Sequence, residues 1–176
     1  MGEESTVISF RINKKLKKAL EDECELKKIS VNNALTNMVD NHLKWDKFAQ
    51  EMGLIFVTKA IFRDILSKIS EREIKILATT ICRGALRNAT VYMKGEFNLE
   101  NFLEIIDTWL THSHVPFRRI ANEDHVKYIL SHDLGSKYSY YIYTAINTLL
   151  PEVDCTCKNS HLEDQTLTFE IVKPAK

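Results

Sequence analysis

The chain has 176 residues, 44% hydrophobic and 27% charged, with 24 basic and 24 acidic side chains and a formal net charge of zero. This composition excludes a disordered chain and fits one large domain or two small ones. It also excludes a polycation drawn to nucleic acid by overall charge, so contact with a polyanion requires a local basic patch.

The opening MGEEST is acidic and polar, without the apolar core of a secretory signal, and no apolar run approaches a membrane span. Four cysteines in that setting are expected as free thiols in a reducing cytoplasm. Thr6 to Ile12 alternates as a strand: Ile8, Phe10 and Ile12 share one face, and Val7, Ser9 and Arg11 the other. A lone strand has an unpaired edge, and a second copy of the chain is the obvious partner. Asn13 is placed to cap a helix that starts at Lys14 and buries Leu16, Ala19, Leu20 and Cys24. Lys14, Lys15, Lys17 and Lys18 crowd its first turns, which opposes the helix dipole unless an anion lies nearby. After Lys27-Lys28-Ile29, Ser30 caps a second helix with Val31, Ala34, Leu35, Met38, Val39 and His42 as its stripe, His42 reading as a core or interface residue. Asn32 and Asn33 lie in its first turn, where free backbone N–H groups suit a phosphate. The stripe runs on through Trp45 and Ala49 to Met52 and Gly53, which predicts a helix that also serves as a connector.

The order strand, helix, turn, helix, carried by VISFRIN, the leucine stripe and the IS start of the second helix, resembles the ribbon-helix-helix family of transcription factors. The resemblance covers about a quarter of the chain, up to Trp45. It implies a homodimer whose two strands form an antiparallel ribbon in the major groove of double-stranded DNA. On this sequence it implies that Val7, Ser9 and Arg11 face base edges, with Lys14 and Lys15 behind them. Ser30, Val31 and Asn32 would hold phosphate, with Asn33 in the same turn. Arg suits guanine O6 and N7, and Ser can address donors or acceptors. Two departures stand out. The family commonly has Gly between the helices, whereas Lys28 would here take a left-handed conformation at a cost of order 1 kcal/mol. Glu3 and Glu4 precede the strand and would repel a phosphate close to them.

Further along, Thr58, the capping box Ser70-Glu71-Arg72-Glu73, and Asn98 predict three helix starts. Their inward stripes are Ile61, Ile65, Leu66, Ile69; then Ile74, Leu77, Ala78, Ile81, Cys82, Ala85, Leu86, ending at Gly95; then Leu99, Phe102, Leu103, Ile106, Trp109, Leu110. After Pro116 the period becomes alternating, with strands over Phe117–Ala121 and Val126–Leu130. Ser136 is placed to cap a helix with Tyr138, Tyr141, Ile142, Ala145, Ile146 and Leu149 inward, stopped by Pro151. A closing hairpin is expected from Val153–Cys157 and Thr166–Val172. The expected organisation is α+β: a ribbon-helix-helix unit over 1–47, intertwined as a dimer, then a domain over 48–176. That domain holds a helical middle (58–112) and an antiparallel sheet packed with a helix (116–173). The segment HDLGSKYSYYIY resembles a motif of uncharacterised archaeal proteins that join such a module to an α/β domain, a resemblance that implies no ligand.

His132-Asp133 ends a strand without a nucleophile, base and orienter trio, so no catalytic residue, enzymatic activity or cofactor is expected. Cys155-x-Cys157-x-x-x-His161 would put two thiols on one strand face with an imidazole beyond, donors that suit Zn²⁺ or Cu(I). His112, His114 and His125 could add ligands, while burial as small apolar residues explains the cysteines equally well. The functional expectation is a cytoplasmic transcriptional regulator that binds double-stranded DNA sequence-specifically as a homodimer or higher homo-oligomer. Its C-terminal domain would oligomerise or sense an undefined small-molecule or metal effector. The alternatives are a dimeric protein-interaction module without DNA binding, and a metal-responsive sensor using Cys155, Cys157 and His161.

Overall fold

The structure, a computed structural model, describes residues 6–173; Glu3 and Glu4 lie outside them, as does the side chain of Cys82. The chain divides into two compact units, Met1–Lys47 and Phe48–Lys176. It is an α+β protein, and no helix of the described residues is long and apolar enough to cross a membrane.

In the N-terminal unit, α1 (Lys14–Lys27) and α2 (Val31–Asn41) form where the caps place them. The Asn13 side chain accepts from the Lys15 N–H at 2.8 Å, and Ser30 Oγ from the Asn33 N–H at 3.0 Å. Lys28 does take the left-handed conformation, φ 54° and ψ 41°, and its N–H and that of Ile29 close the end of α1 on Glu25 and Cys24. Lys28→Gly is therefore expected to stabilise this unit by about 1 kcal/mol, measurable as a shift in urea midpoint. No change would mean that the turn relaxes away from this geometry in solution.

The strand expected over Thr6–Ile12 is not formed within one chain. Residues 6–13 have no regular structure, and the first strand begins at Phe117. A segment becomes a strand only when its backbone pairs with a neighbouring one, and residues 6–12 have no such partner among the described residues. The second helix also differs from expectation. After α2 the backbone widens into a π turn over His42–Asp46 and ends in the short α3 (Lys47–Ala49), three residues before Met52. Gly53, at φ 69°, closes the following turn.

The C-terminal unit contains α4 (Lys59–Lys68), α5 (Glu71–Ile81), a π turn over Cys82–Leu86, α6 (Arg87–Lys94), α7 (Leu99–His112) and α8 (Ser136–Leu149). Thr58, Ser70 and Asn98 act as expected, Ser70 and Glu73 bonding each other's backbone reciprocally. On α4 the inward residues are Phe62 and Leu66, and Ile61 and Ile65 are exposed. On α5 only Ile74 and Ala78 are buried, with Leu77 and Ile81 exposed. A helix lying on the rim of a core buries a narrower stripe than its apolar content allows.

The sheet is antiparallel in the order β1 (Phe117–Ala121), β2 (His125–Ser131), β4 (Thr166–Val172), β3 (Thr156–Leu162). One face carries Val126, Tyr128, Leu130, Leu167, Phe169 and Ile171, packed with α7 and α8 into the core. Tyr128 stacks between Phe117 and Phe169 at 6.3 and 5.3 Å. Its hydroxyl donates to Asp107 of α7 at 2.7 Å, and Arg119 clamps the other carboxylate oxygen at 2.7 Å. Burial and that carboxylate push the Tyr128 phenol well above its ordinary pKa, so it stays a donor.

Candidate nucleic-acid interface

The residues proposed to meet DNA lie in the N-terminal unit. Val7 is 91% exposed, and Ser9, Arg11, Lys14, Lys15, Ser30, Asn32 and Asn33 are also exposed, while Val31 is half-buried. Asn13 fixes where Lys14 and Lys15 leave the backbone, and Ser30 does the same for Val31 to Asn33. The lysines of α1 fall into two groups, paired and unpaired. Lys17 pairs with Glu21 four residues on at 3.1 Å, and Lys27 pairs with Glu23. Arg11, Lys14, Lys15 and Lys18 make no ion pair among the described residues. Lys18 was not among the expected contacts, although the KKLKK run places it one turn from Lys14. Neither α1 nor α2 has an acidic side chain in its first turn. Four unpaired cations beside a helix N-terminus repel it and one another, and an anion relieves both.

The HDLGSKYS segment is structural. His132 is 5% exposed, and its Nδ1 accepts the Leu134 N–H at 3.3 Å, which leaves the proton on Nε2 to be donated to Ser139 Oγ at 2.8 Å. The Ser139 hydroxyl, fully buried, donates to the Glu163 carbonyl at 2.7 Å. A His beside a Ser suggests a base and a nucleophile, but here every proton is committed inside the core. Burial holds the His132 pKa below its ordinary value, against the raising influence of Asp133 and Asp164. The expected Ser136 cap is also corrected. Gly135, at φ 87°, occupies that position, and Asp164 Oδ1 caps α8 from the β3–β4 turn by accepting the Ser136 N–H at 3.2 Å. Lys137 in turn donates to the Ser67 and Ile69 carbonyls at the end of α4.

Cys155, Cys157 and His161 are not gathered. The closing strand runs over Thr156–Leu162 instead of Val153–Cys157, because a 3₁₀ turn occupies Leu150–Val153 and Cys155 precedes the strand. Cys157 pairs with Ile171 on the core face; an irregularity between Lys158 and His161 then brings His161 opposite Thr168, on the other face. Burial pushes the Cys157 thiol up to about 12 and raises Cys155 as well, which disfavours the thiolate a metal needs. No group of three or more His, Cys, Asp or Glu among the described residues is placed to hold a metal ion.

Comparison with protein families, curated proteins and solved structures finds no match to this chain.

Proposed function

We propose that the chain is a sequence-specific DNA-binding regulator of transcription that acts as a homodimer through its N-terminal unit. One observation carries this reading: the unit has two capped helices and almost no core. Among its described residues only Cys24 and Ala34 are buried, whereas Val7, Ile8, Phe10, Leu16, Met38, Val39 and Leu43 are exposed, Phe10 at 61%. A unit this small cannot be stable with that surface in water, and a second copy carries the matching apolar set. In such a dimer the two Thr6–Ile12 segments complete each other's hydrogen bonds as a ribbon. Ile8, Phe10 and Ile12 then close on the helices, which leaves Val7, Ser9 and Arg11 outward for the base edges. Lys14, Lys15 and Lys18 flank the ribbon, and the α2 N-terminus from Ser30 to Asn33 takes a phosphate. The C-terminal unit then adds oligomeric contacts or senses a signal.

A dimeric interaction module without DNA is the second reading, favoured by the net charge of zero. Salt separates the two. Selection of bound fragments from genomic DNA should return an inverted repeat. Three cations per protomer imply that log K falls against log salt with a slope of roughly −5. Retention that is indifferent to salt selects the interaction module.

A further inference from the structure

After the turn at Gly53, residues 54–57 have no regular structure, and Leu54, Ile55, Phe56 and Val57 are all exposed, Ile55 at 82% and Phe56 at 105%. The Leu54 N–H reaches the Ala49 carbonyl at 3.0 Å, but the amides of Ile55, Phe56 and Val57 have no backbone partner among the described residues. α4 follows at once. Its Phe62 and Leu66 face the core, and Ile61 and Ile65, one turn apart on the helix that directly follows the segment, are exposed as well. These six side chains expose on the order of 600 Å² per chain, above the few hundred that soluble monomers leave in water and close to one partner's share of a stable interface.

We infer that Leu54–Val57 together with Ile61 and Ile65 is a self-association surface, occupied by the same segment of a second copy of this chain. The area is what a dimer requires. The segment is also chemically self-complementary: Leu-Ile-Phe-Val has strong strand propensity, and two unpaired stretches related by a two-fold axis offer each other identical donors and acceptors. An aqueous or anionic occupant gains nothing from four consecutive large apolar side chains, whereas a copy of the same segment buries them twice over. In part this rests on the dimer proposed above. Leu54 lies seven residues after Lys47, a span of at most about 25 Å of extended chain, so dimerisation of the N-terminal units brings the two segments within reach.

Sedimentation equilibrium of the full chain tests this with two variants. The double variant Ile55→Lys/Phe56→Lys alters only exposed side chains, so its circular dichroism and melting should match the wild type under dilute conditions. Its self-association constant should weaken by about a hundredfold or more. An unchanged constant, or a wild type that stays monomeric at millimolar concentration, overturns the inference. Phe10→Lys reports on the ribbon separately. If it leaves association intact while the double variant abolishes it, the ribbon reading fails and this surface stands; the opposite pattern removes this surface and keeps the ribbon.

Discussion

Replacing Arg11 by Ala is expected to reduce the preference for the cognate site over random DNA by about 10- to 100-fold for each of the two protomers, with the dimer and the fold unchanged. A bidentate contact from guanidinium to guanine discriminates by about 1–3 kcal/mol, which sets that range. Arg11 is exposed and makes no ion pair among the described residues, so its removal takes nothing from folding. Lys15→Ala provides the contrast. A phosphate contact carries no sequence information, so binding to both DNAs should weaken alike, and the salt slope should fall by about 2 for the two protomers. Competition of labelled site with random duplex at fixed ionic strength reads both effects. If Arg11→Ala weakens both DNAs equally, it is a phosphate contact. If it weakens neither, the Thr6–Ile12 segment does not touch DNA.

His132→Ala is expected to destabilise the C-terminal unit by about 3 kcal/mol at pH 8. It removes a buried ring, leaves the Leu134 N–H without its acceptor and takes from Ser139 Oγ the proton it accepts, while that hydroxyl keeps its own bond to the Glu163 carbonyl. The loss should depend on pH in a definite direction. The native pKa of His132 lies below its ordinary value, so the unfolded chain takes up the proton first as the solution is acidified. The neutral ring's contribution is complete above about pH 6.5 and declines as pH falls from there through the native pKa. The difference between wild type and His132→Ala, measured by urea unfolding at pH 8, 6.5 and 5, should therefore shrink toward acid. A difference that grows toward acid would mean that the folded protein prefers the imidazolium, contrary to the buried Nε2–H to Ser139 geometry.

Legibility from sequence tracked the range of the interactions involved. Asn13, Ser30, Thr58, Ser70 and Asn98 all cap the helices that they were expected to cap, because a cap acts over two or three residues. The left-handed Lys28 was legible for the same reason. The i,i+4 arithmetic accounts for the pairing of Lys17 with Glu21 and for the lack of an acid opposite Lys14 or Lys15, but not for Lys18, which makes no ion pair among the described residues although Asp22 lies four residues on. Where contacts skip along the chain, reading from sequence failed. Nothing in the segment itself says that Asp164 caps α8 from twenty-eight residues away, or that Ser139 anchors His132 to the Glu163 carbonyl.

The Cys155-x-Cys157 spacing shows the same limit inside one element. Alternation predicts a shared face for the two thiols, but a 3₁₀ turn takes the first out of the strand and a bulge turns His161 to the opposite face. The amino-acid sequence by itself determined much of the local structure: the capped starts of α1, α2, α4, α5 and α7, the period-2 segments of β1, β2 and β4, and the αL turn, all governed by neighbours a few residues apart. Only the tertiary structure decided which apolar residues enter the core and which, from Val7 to Val39 and from Leu54 to Ile65, stay outside it. Burial depends on which elements face each other across the fold, and the spacing of apolar residues along the chain does not record that.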